Sequence, residues 1–230
     1  RAFYEFLRDE LGLTRASVVA DIGSGTGISS APLLENGNTV FAIEPNGPMR
    51  EAAERRLSKY PGFHSVNAKA EATGLADASI DLILAAQAFH WFDRPRARAE
   101  FARILKQGGW LVLVWNERRM DSTPFLQEYE ELLQAYATDY NKVRHENVDD
   151  AALAAFFAPA PCATRSFENT QAFDYPGLEA RLLSSSYTPS ADDPRRTPML
   201  AQLRRIFDRH QADGRVHFDY DTRAQFGPLR

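Results

Sequence analysis

The sequence is poor in cysteine, in long apolar runs and in charge of one sign. A single cysteine, Cys162, stands among 230 residues. It excludes an internal disulfide and a cysteine-based metal cluster, and it reads as a small packed side chain in a proline-rich loop. No stretch approaches the roughly 20 apolar residues that span a bilayer, and no secretory signal pattern is visible. A cytoplasmic location is therefore the expectation, with no membrane partner. The net charge is −4, from 27 basic and 31 acidic residues. This balance lacks the basic footprint that nucleic-acid phosphates select, so no nucleic-acid partner is expected. The histidines show no ligand-type spacing, and no metal site is expected. Gly and Pro number 13 each, too few for a collagen-like or low-complexity chain. The chain opens on Arg1 rather than Met, so residues upstream are expected.

What is present is an alternation of short apolar runs and helical stretches, the pattern of a parallel sheet with crossover helices. Strands are predicted at Ser17–Ile22, Thr39–Ile43, Phe63–Asn67, Ile80–Ala86 and Trp110–Trp115. The spacing predicts helices over Ile28–Glu35, Pro48–Lys59 and Pro95–Lys106, the last ended by Gly108-Gly109. After Asn116 the rhythm changes. Helices are predicted over Pro124–Ala137, Leu178–Ser184 and Pro198–Gln211, with strands at Thr164–Phe173 and Gly214–Thr222; Asn141–Asp150 reads as a polar loop. The expected fold is α/β, one Rossmann-like domain over residues 1–230. It has a mostly parallel sheet with helices on both faces and a lid inserted at 121–161.

The informative stretch is Val18-Val19-Ala20-Asp21-Ile22-Gly23-Ser24-Gly25-Thr26-Gly27. A strand runs into Asp-x-Gly-x-Gly-x-Gly, then a helix. Glycines permit a sharp turn and a close backbone approach to a ligand, and the helix start offers free N–H groups. Dinucleotide enzymes prefer Gly-x-Gly-x-x-Gly, whereas the third glycine here comes one residue early. This stretch resembles motif I of the class I S-adenosylmethionine (SAM)-dependent methyltransferases. The resemblance implies a seven-stranded sheet whose final strand runs antiparallel beside strand five. It also implies SAM as cofactor, with Asp21, Gly23, Ser24, Gly25, Thr26 and Gly27 around its methionine moiety.

Glu44 ends the second strand, followed by Pro45 and, at the head of the next helix, Met49. A carboxylate there can accept hydrogen bonds from two adjacent ribose hydroxyls; the alternative is an acid placed to favour the helix dipole. Ala68-Lys69-Ala70-Glu71-Ala72 resembles the family's adenine segment, which implies contacts from Ala70 and Glu71. Many relatives place Asp where Lys69 stands, and a charged lysine cannot accept from the adenine amino group.

The segment Gln87-Ala88-Phe89-His90-Trp91-Phe92 follows strand four, at the edge where open α/β sheets bind ligands. It resembles the small-molecule subgroup that includes trans-aconitate-methyltransferase-like proteins. That adds Gln87 and Phe89 on the cofactor side and His90 as a base that titrates near neutrality, or else as a packed ring. Trp91 and Trp115 could wall an apolar acceptor or pack in the core, and Arg118 or Arg119 could grip a carboxylate bidentately or stand as a solvated pair. Tyr187 is assigned to the acceptor side by the same resemblance. The implied reaction is methyl transfer to a small-molecule acceptor at oxygen or carbon. A SAM-binding scaffold without catalysis is the second reading, and an NAD(P)-dependent oxidoreductase fails on glycine spacing.

Overall fold

A computed structural model of the chain describes residues 2–138, 140, 150–185 and 187–229. Seven strands form one sheet: β1 Val18–Ile22, β2 Thr39–Ile43, β3 Phe63–Val66, β4 Ile80–Ala86, β5 Leu105–Arg118, β6 Ala163–Phe173 and β7 Val216–Gly227. Their order is β3-β2-β1-β4-β5-β7-β6. The pairings β2–β3, β1–β2, β1–β4 and β4–β5 are all parallel. The final strand stands next to β5, as the resemblance implied. The helices are α1 Ala2–Asp9, α2 Ser30–Asn36, α3 Gly47–Leu57, α4 Arg94–Ile104, α5 Pro124–Tyr136, α6 Asp150–Phe157, α7 Tyr175–Leu183 and α8 Arg196–His210.

The chain divides into two compact units. The first comprises residues 1–115, 148–167 and 222–230; the second comprises 116–147 and 168–221. In the first unit the central strands alternate between two apolar layers, as the two-residue period of a strand requires. Ala20, Ile22, Ile83, Ala85, Leu111 and Leu113 face one layer. Val19, Leu82, Leu84, Val112 and Val114 face the other, with Phe3, Phe6 and Leu7 of α1 packed against them. The second unit has its own core, built on Leu126, Tyr129, Leu133, Leu203, Ile206 and Phe218.

Local chemistry sets the helix starts. The Asn46, Asp93, Thr123 and Asp174 side chains each accept a backbone N–H of the first turn, and a proline follows within that turn in all four. A short oxygen-bearing cap plus a proline whose missing N–H costs nothing there is a strong start signal. Helix α2 ends on Gly37, left-handed at φ +97°, with its N–H returned to Leu33 and Leu34 carbonyls.

Two boundaries differ from expectation. Helix α4 stops at Ile104, and the strand begins at once, because Leu105 is already extended (φ −72°, ψ 132°). Gly108-Gly109 thus lies inside β5, where Gly108 adopts φ +77°, rather than ending a helix. Helix α6 occupies part of the stretch expected as lid; its Ala/Phe-rich run, DAALAAFF, carries the buried Leu153, Phe156 and Phe157. Asp150 opens this helix, and the rest of the predicted loop at 141–150 lies outside the described residues. No helix among the described residues is long and apolar enough to cross a membrane.

Candidate functional site

The parallel register brings the chemistry to one edge. Ile22 pairs with Ile43, so Gly23 and Glu44, the next residue after each, leave the sheet together. Asp21 pairs with Leu84, which carries the end of β4 and Gln87 to the same edge. Ala86 pairs with Val114, the residue before Trp115. Four patches that are far apart in sequence converge by register alone, at the carboxyl ends of the strands, where such sheets bind ligands.

The three glycines of the turn differ in what surrounds them. All are left-handed, at φ +68°, +55° and +79° for Gly23, Gly25 and Gly27. A Cβ on Gly23 would stand 2.5 Å from the Ala88 Cβ, and one on Gly27 would stand 2.4 Å from the Leu57 Cδ1. Those two let β1 and its turn pack against the post-β4 segment and α3. A Cβ on Gly25 would meet nothing within 4 Å. Gly25 therefore presents its bare backbone to open space.

Glu44 is buried and held from both sides. Its Oε2 accepts the Gly25 N–H at 2.9 Å and its Oε1 accepts the Asn46 N–H at 2.8 Å. Each carboxylate oxygen retains acceptor capacity beyond that one bond. The Arg50 guanidinium reaches the Glu44 carbonyl at 3.1 Å. Thr26 and Pro45, next in sequence to the two donors Gly25 and Asn46, are exposed.

Asp21 is fully buried. Its Oδ2 accepts the Ser29 and Ser30 hydroxyls at 2.7 and 2.6 Å. Its Oδ1 and the Ser24 Oγ have no hydrogen-bond partner among the described residues. Burial raises the Asp21 carboxyl to about 6 against the pull of Ser30 and Ser29, and the Glu44 charge adds to the rise. The sign follows from linkage. A carboxyl whose folded pKa is raised favours the fold when protonated; that advantage is complete below its ordinary 3.8 and is lost as pH climbs through about 6. At neutral pH the ionised group then costs about 3 kcal/mol. Asp21→Asn is expected to melt higher than the parent at pH 7.5 and to lose that advantage by pH 4, checked by thermal melts across pH. Parallel pH profiles for the two proteins would refute the assignment.

Large apolar side chains stand exposed at this edge. Ile28 is 70 % exposed after β1, Met49 is 47 % exposed after β2, and Trp91 is 81 % exposed after β4. Met49 and Trp91 were expected here; Ile28 was missed, although an isoleucine directly after Gly27 was the signal.

The segment after β3 is tied down by carboxylates. Ala70 is buried, and Glu71 Oε1 accepts the Asp93 N–H at 2.8 Å. Glu100 accepts the Thr73 N–H at 2.7 Å and holds Arg103 at 2.8 Å. Arg103 first, and then Thr73, pull its carboxyl down to about 2 against burial. Glu100 lies 27 residues beyond Thr73, so no local pattern revealed this anchor.

At the end of β4, Gln87 is left-handed at φ +58°, uncommon for a residue with a Cβ, and its N–H donates to the Val114 carbonyl at 2.8 Å. A short 3-10 turn follows over Phe89–Trp91. The Phe89 ring is fully buried, edge-on to Phe156 at 4.7 Å and Trp115 at 6.2 Å. Phe89 and Trp115 thus join the apolar layer, while His90 and Trp91 are exposed with their rings 4.9 Å apart.

In the second unit Arg118 pairs with Glu130, reaches the Tyr140 hydroxyl at 3.0 Å and lies 5.1 Å over the Tyr129 ring. The Tyr140 ring stands 5.1 Å from that of Tyr187. Arg118 and Tyr187 are thereby brought into one cluster, whereas the neighbouring Arg119 is engaged by Asp221 at 2.6 Å and Glu168 at 3.0 Å.

Residues 20–113 match a family described as a methyltransferase domain. A methyltransferase-like protein of Schizosaccharomyces pombe, itself uncharacterized, is 31 % identical over 136 residues, 59 % of this chain and 52 % of that protein. An uncharacterized methyltransferase of Mycobacterium bovis is 42 % identical over 100 residues, 44 % of this chain and 40 % of that protein. The chain thus spans about half the length of these curated relatives. A candidate type II methyltransferase from Anaeromyxobacter dehalogenans shares the fold at a TM-score of 0.71 and 21 % identity, over 99 % of this chain and 95 % of that one. A geranyl diphosphate methyltransferase solved with SAM superimposes at a TM-score of 0.56 and 15 % identity, over 100 % of this chain and 85 % of its own.

Proposed function

We propose, on the support of that domain match and of the methyltransferases it resembles, that this chain is a class I SAM-dependent methyltransferase acting on a small-molecule acceptor. The observation that carries the reading is the pairing of Gly25 with Glu44. A buried carboxylate with acceptor capacity to spare is fixed by the backbone of a glycine whose free side faces open space.

The residues present fit SAM. Glu44 would accept from the ribose hydroxyls, as a bidentate acceptor suits. Gly23, Ser24, Gly25, Thr26 and Gly27 would line the methionine moiety, and the otherwise unpartnered Asp21 Oδ1 and Ser24 Oγ are polar atoms that this edge has yet to satisfy. The exposed Met49 and the Pro45 beside Glu44 give an apolar border on the ribose side. The segment Ala70-Glu71, clamped through Asp93 and through Glu100 on Thr73, offers backbone groups to the adenine edge. Lys69 replaces the acidic acceptor common in relatives, so recognition of the adenine amino group falls to the backbone. Gln87 and Phe89 would contribute through the strained turn they hold rather than through the buried Phe89 ring.

When bound, SAM supplies a methyl group already activated by sulfonium. The protein's task is to orient an acceptor atom and, for a hydroxyl or carbon acid, to take its proton. His90 is the proposed base: it is exposed, follows β4 directly and carries an imidazole, a side chain suited to taking a proton from an acceptor. Trp91 and the partly buried Trp115 are the acceptor contacts proposed in the first unit. His90→Ala is expected to lower turnover about 100-fold while SAM affinity stays within about threefold. Single-turnover kinetics with calorimetry measure both, and unchanged turnover would reduce His90 to a surface ring.

A further inference from the structure

The turn that carries His90 and Trp91 is fastened to the proposed cofactor edge at both of its ends. At its start, Ala88 lies against the bare backbone of Gly23, where an added Cβ would stand 2.5 Å from the Ala88 Cβ. At its finish, the Asp93 N–H donates to Glu71 Oε1 at 2.8 Å. Between these points the backbone closes on itself, with the Trp91 N–H on the Ala88 carbonyl at 3.0 Å and the Phe92 N–H on the Phe89 carbonyl at 3.2 Å. The Phe89 and Phe92 rings anchor the turn in the apolar layer. They stand edge-on to each other at 5.9 Å, and Phe92 stands edge-on to Phe101 at 5.8 Å. His90 and Trp91 are left on the exposed side.

Glu71 makes one of two ties between the segment after β3 and helix α4, and the two run in opposite senses. The Glu71 carboxylate accepts a backbone N–H at the N-cap of α4; the Glu100 carboxylate, on α4, accepts the Thr73 N–H at 2.7 Å. Residues 93 and 100 are seven apart, close to two helical turns, so both ties leave one face of α4. Two ties so spaced set the direction of the segment as well as its distance from the helix. The segment is itself folded tightly, with the Ala72 N–H on the Lys69 carbonyl at 3.1 Å and Ala70 buried within it.

We propose that Glu71 is a positioning residue: by holding the Asp93 N–H it sets the placement of His90 and Trp91 relative to the adenine segment. This rests on the methyltransferase reading in taking that segment to be the adenine edge; the tie itself stands without a cofactor. The bond needs an acceptor oxygen and not a charge, so the amide of glutamine is the substitute that should restore it.

The test reads the two rings directly, by NMR on the full chain. There are five histidines and three tryptophans. The imidazole C–H signal of His90 and the indole N–H signal of Trp91 are therefore few enough to assign, by their loss in His90→Ala and Trp91→Phe. In the ligand-free protein Glu71→Ala should move both signals by more than a linewidth, and Glu71→Gln should leave them at the parent positions. A side chain that only added stability would lower the melting temperature and leave the signals where they were. A second pair of variants removes the donor instead. Asp93→Pro deletes the N–H at a φ of −69°, which proline adopts, and Phe92 before it is already extended. Asp93→Ala deletes only the cap and is the baseline; the proline variant should show the further shift seen in Glu71→Ala. Adenosine, added as the probe of the adenine edge, should move both signals in the parent and in Glu71→Gln, and Glu71→Ala should lose most of that response. Signals unmoved by Glu71→Ala, signals moved as far by Glu71→Gln, or Asp93→Pro matching Asp93→Ala would each overturn the tie. Adenosine that binds the parent without moving either signal would overturn the link to the adenine edge. Signals that respond to Glu71→Ala and recover in Glu71→Gln, in a chain that binds neither SAM nor adenosine, would uphold the tie and sink the methyltransferase reading instead.

Discussion

Glu44→Ala is expected to weaken SAM binding at least 100-fold, to below detection in an ordinary calorimetric titration. Two backbone bonds hold its carboxylate, from the Gly25 N–H at 2.9 Å and the Asn46 N–H at 2.8 Å. These fix both oxygens before any ligand arrives, so the acceptors meet the ribose hydroxyls without reorganisation. Hydrogen bonds to a charged acceptor contribute about 1.5–3 kcal/mol each, and losing two of them corresponds to roughly 100-fold or more in affinity. The same substitution releases the Gly25 backbone that faces the ligand. Glu44→Gln separates the two effects: the amide oxygen can keep one of these backbone bonds, but one acceptor is lost and no charge remains. It should fall between parent and alanine. Binding of SAM by Glu44→Ala within threefold of the parent would remove the carboxylate from the site, and with it the central argument for the cofactor.

How much of this was written in the sequence depends on the range of the interaction. The five strands β1–β5 were readable because each is a short apolar run bounded by a turn, and strands covered on both faces need little else. Their register then did the rest: once Ile22 lies beside Ile43, Gly23 and Glu44 must share an edge. Helix α1 was missed although Phe3, Phe6 and Leu7 have helical spacing, because its eight residues are fewer than the window over which that period can be read. The length of β5 was missed because Gly108-Gly109 reads as a helix stop, and only the pairing of Ile80 with Leu105 shows that the strand has already begun. Phe89 looked like a cofactor contact from its place after β4. Its ring instead fills the layer formed by Phe156 and Trp115, residues far away in the chain. Arg118 was legible as a polar residue beyond the apolar run Trp110–Trp115, but its ion pair with Glu130 depends on helix α5, whose facing no local pattern fixes.

The turn glycines should part company under a single methyl group. At all three positions alanine must adopt positive φ, a cost of roughly 1–2 kcal/mol. At Gly27 the new Cβ also meets Leu57 Cδ1 at 2.4 Å, and at Gly23 it meets Ala88 Cβ at 2.5 Å. Overpacking of that kind adds roughly 1–3 kcal/mol. Gly23→Ala and Gly27→Ala should therefore lower the melting temperature by about 5–15 °C, given roughly 2–4 °C per kcal/mol for a chain of this size. Leu57 can swing its side-chain end aside, whereas the Ala88 Cβ sits on the backbone, so Gly23→Ala should be the more damaging of the pair. Gly25→Ala meets nothing within 4 Å and should melt within about 8 °C of the parent. Yet its methyl group would project into the space the ligand is proposed to fill, and SAM affinity should drop at least tenfold. A Gly25→Ala protein that binds SAM normally would show that the open side of Gly25 is not where the cofactor lies. The ratio of lost affinity to lost stability across the three variants thus separates a glycine kept for a ligand from glycines kept for packing.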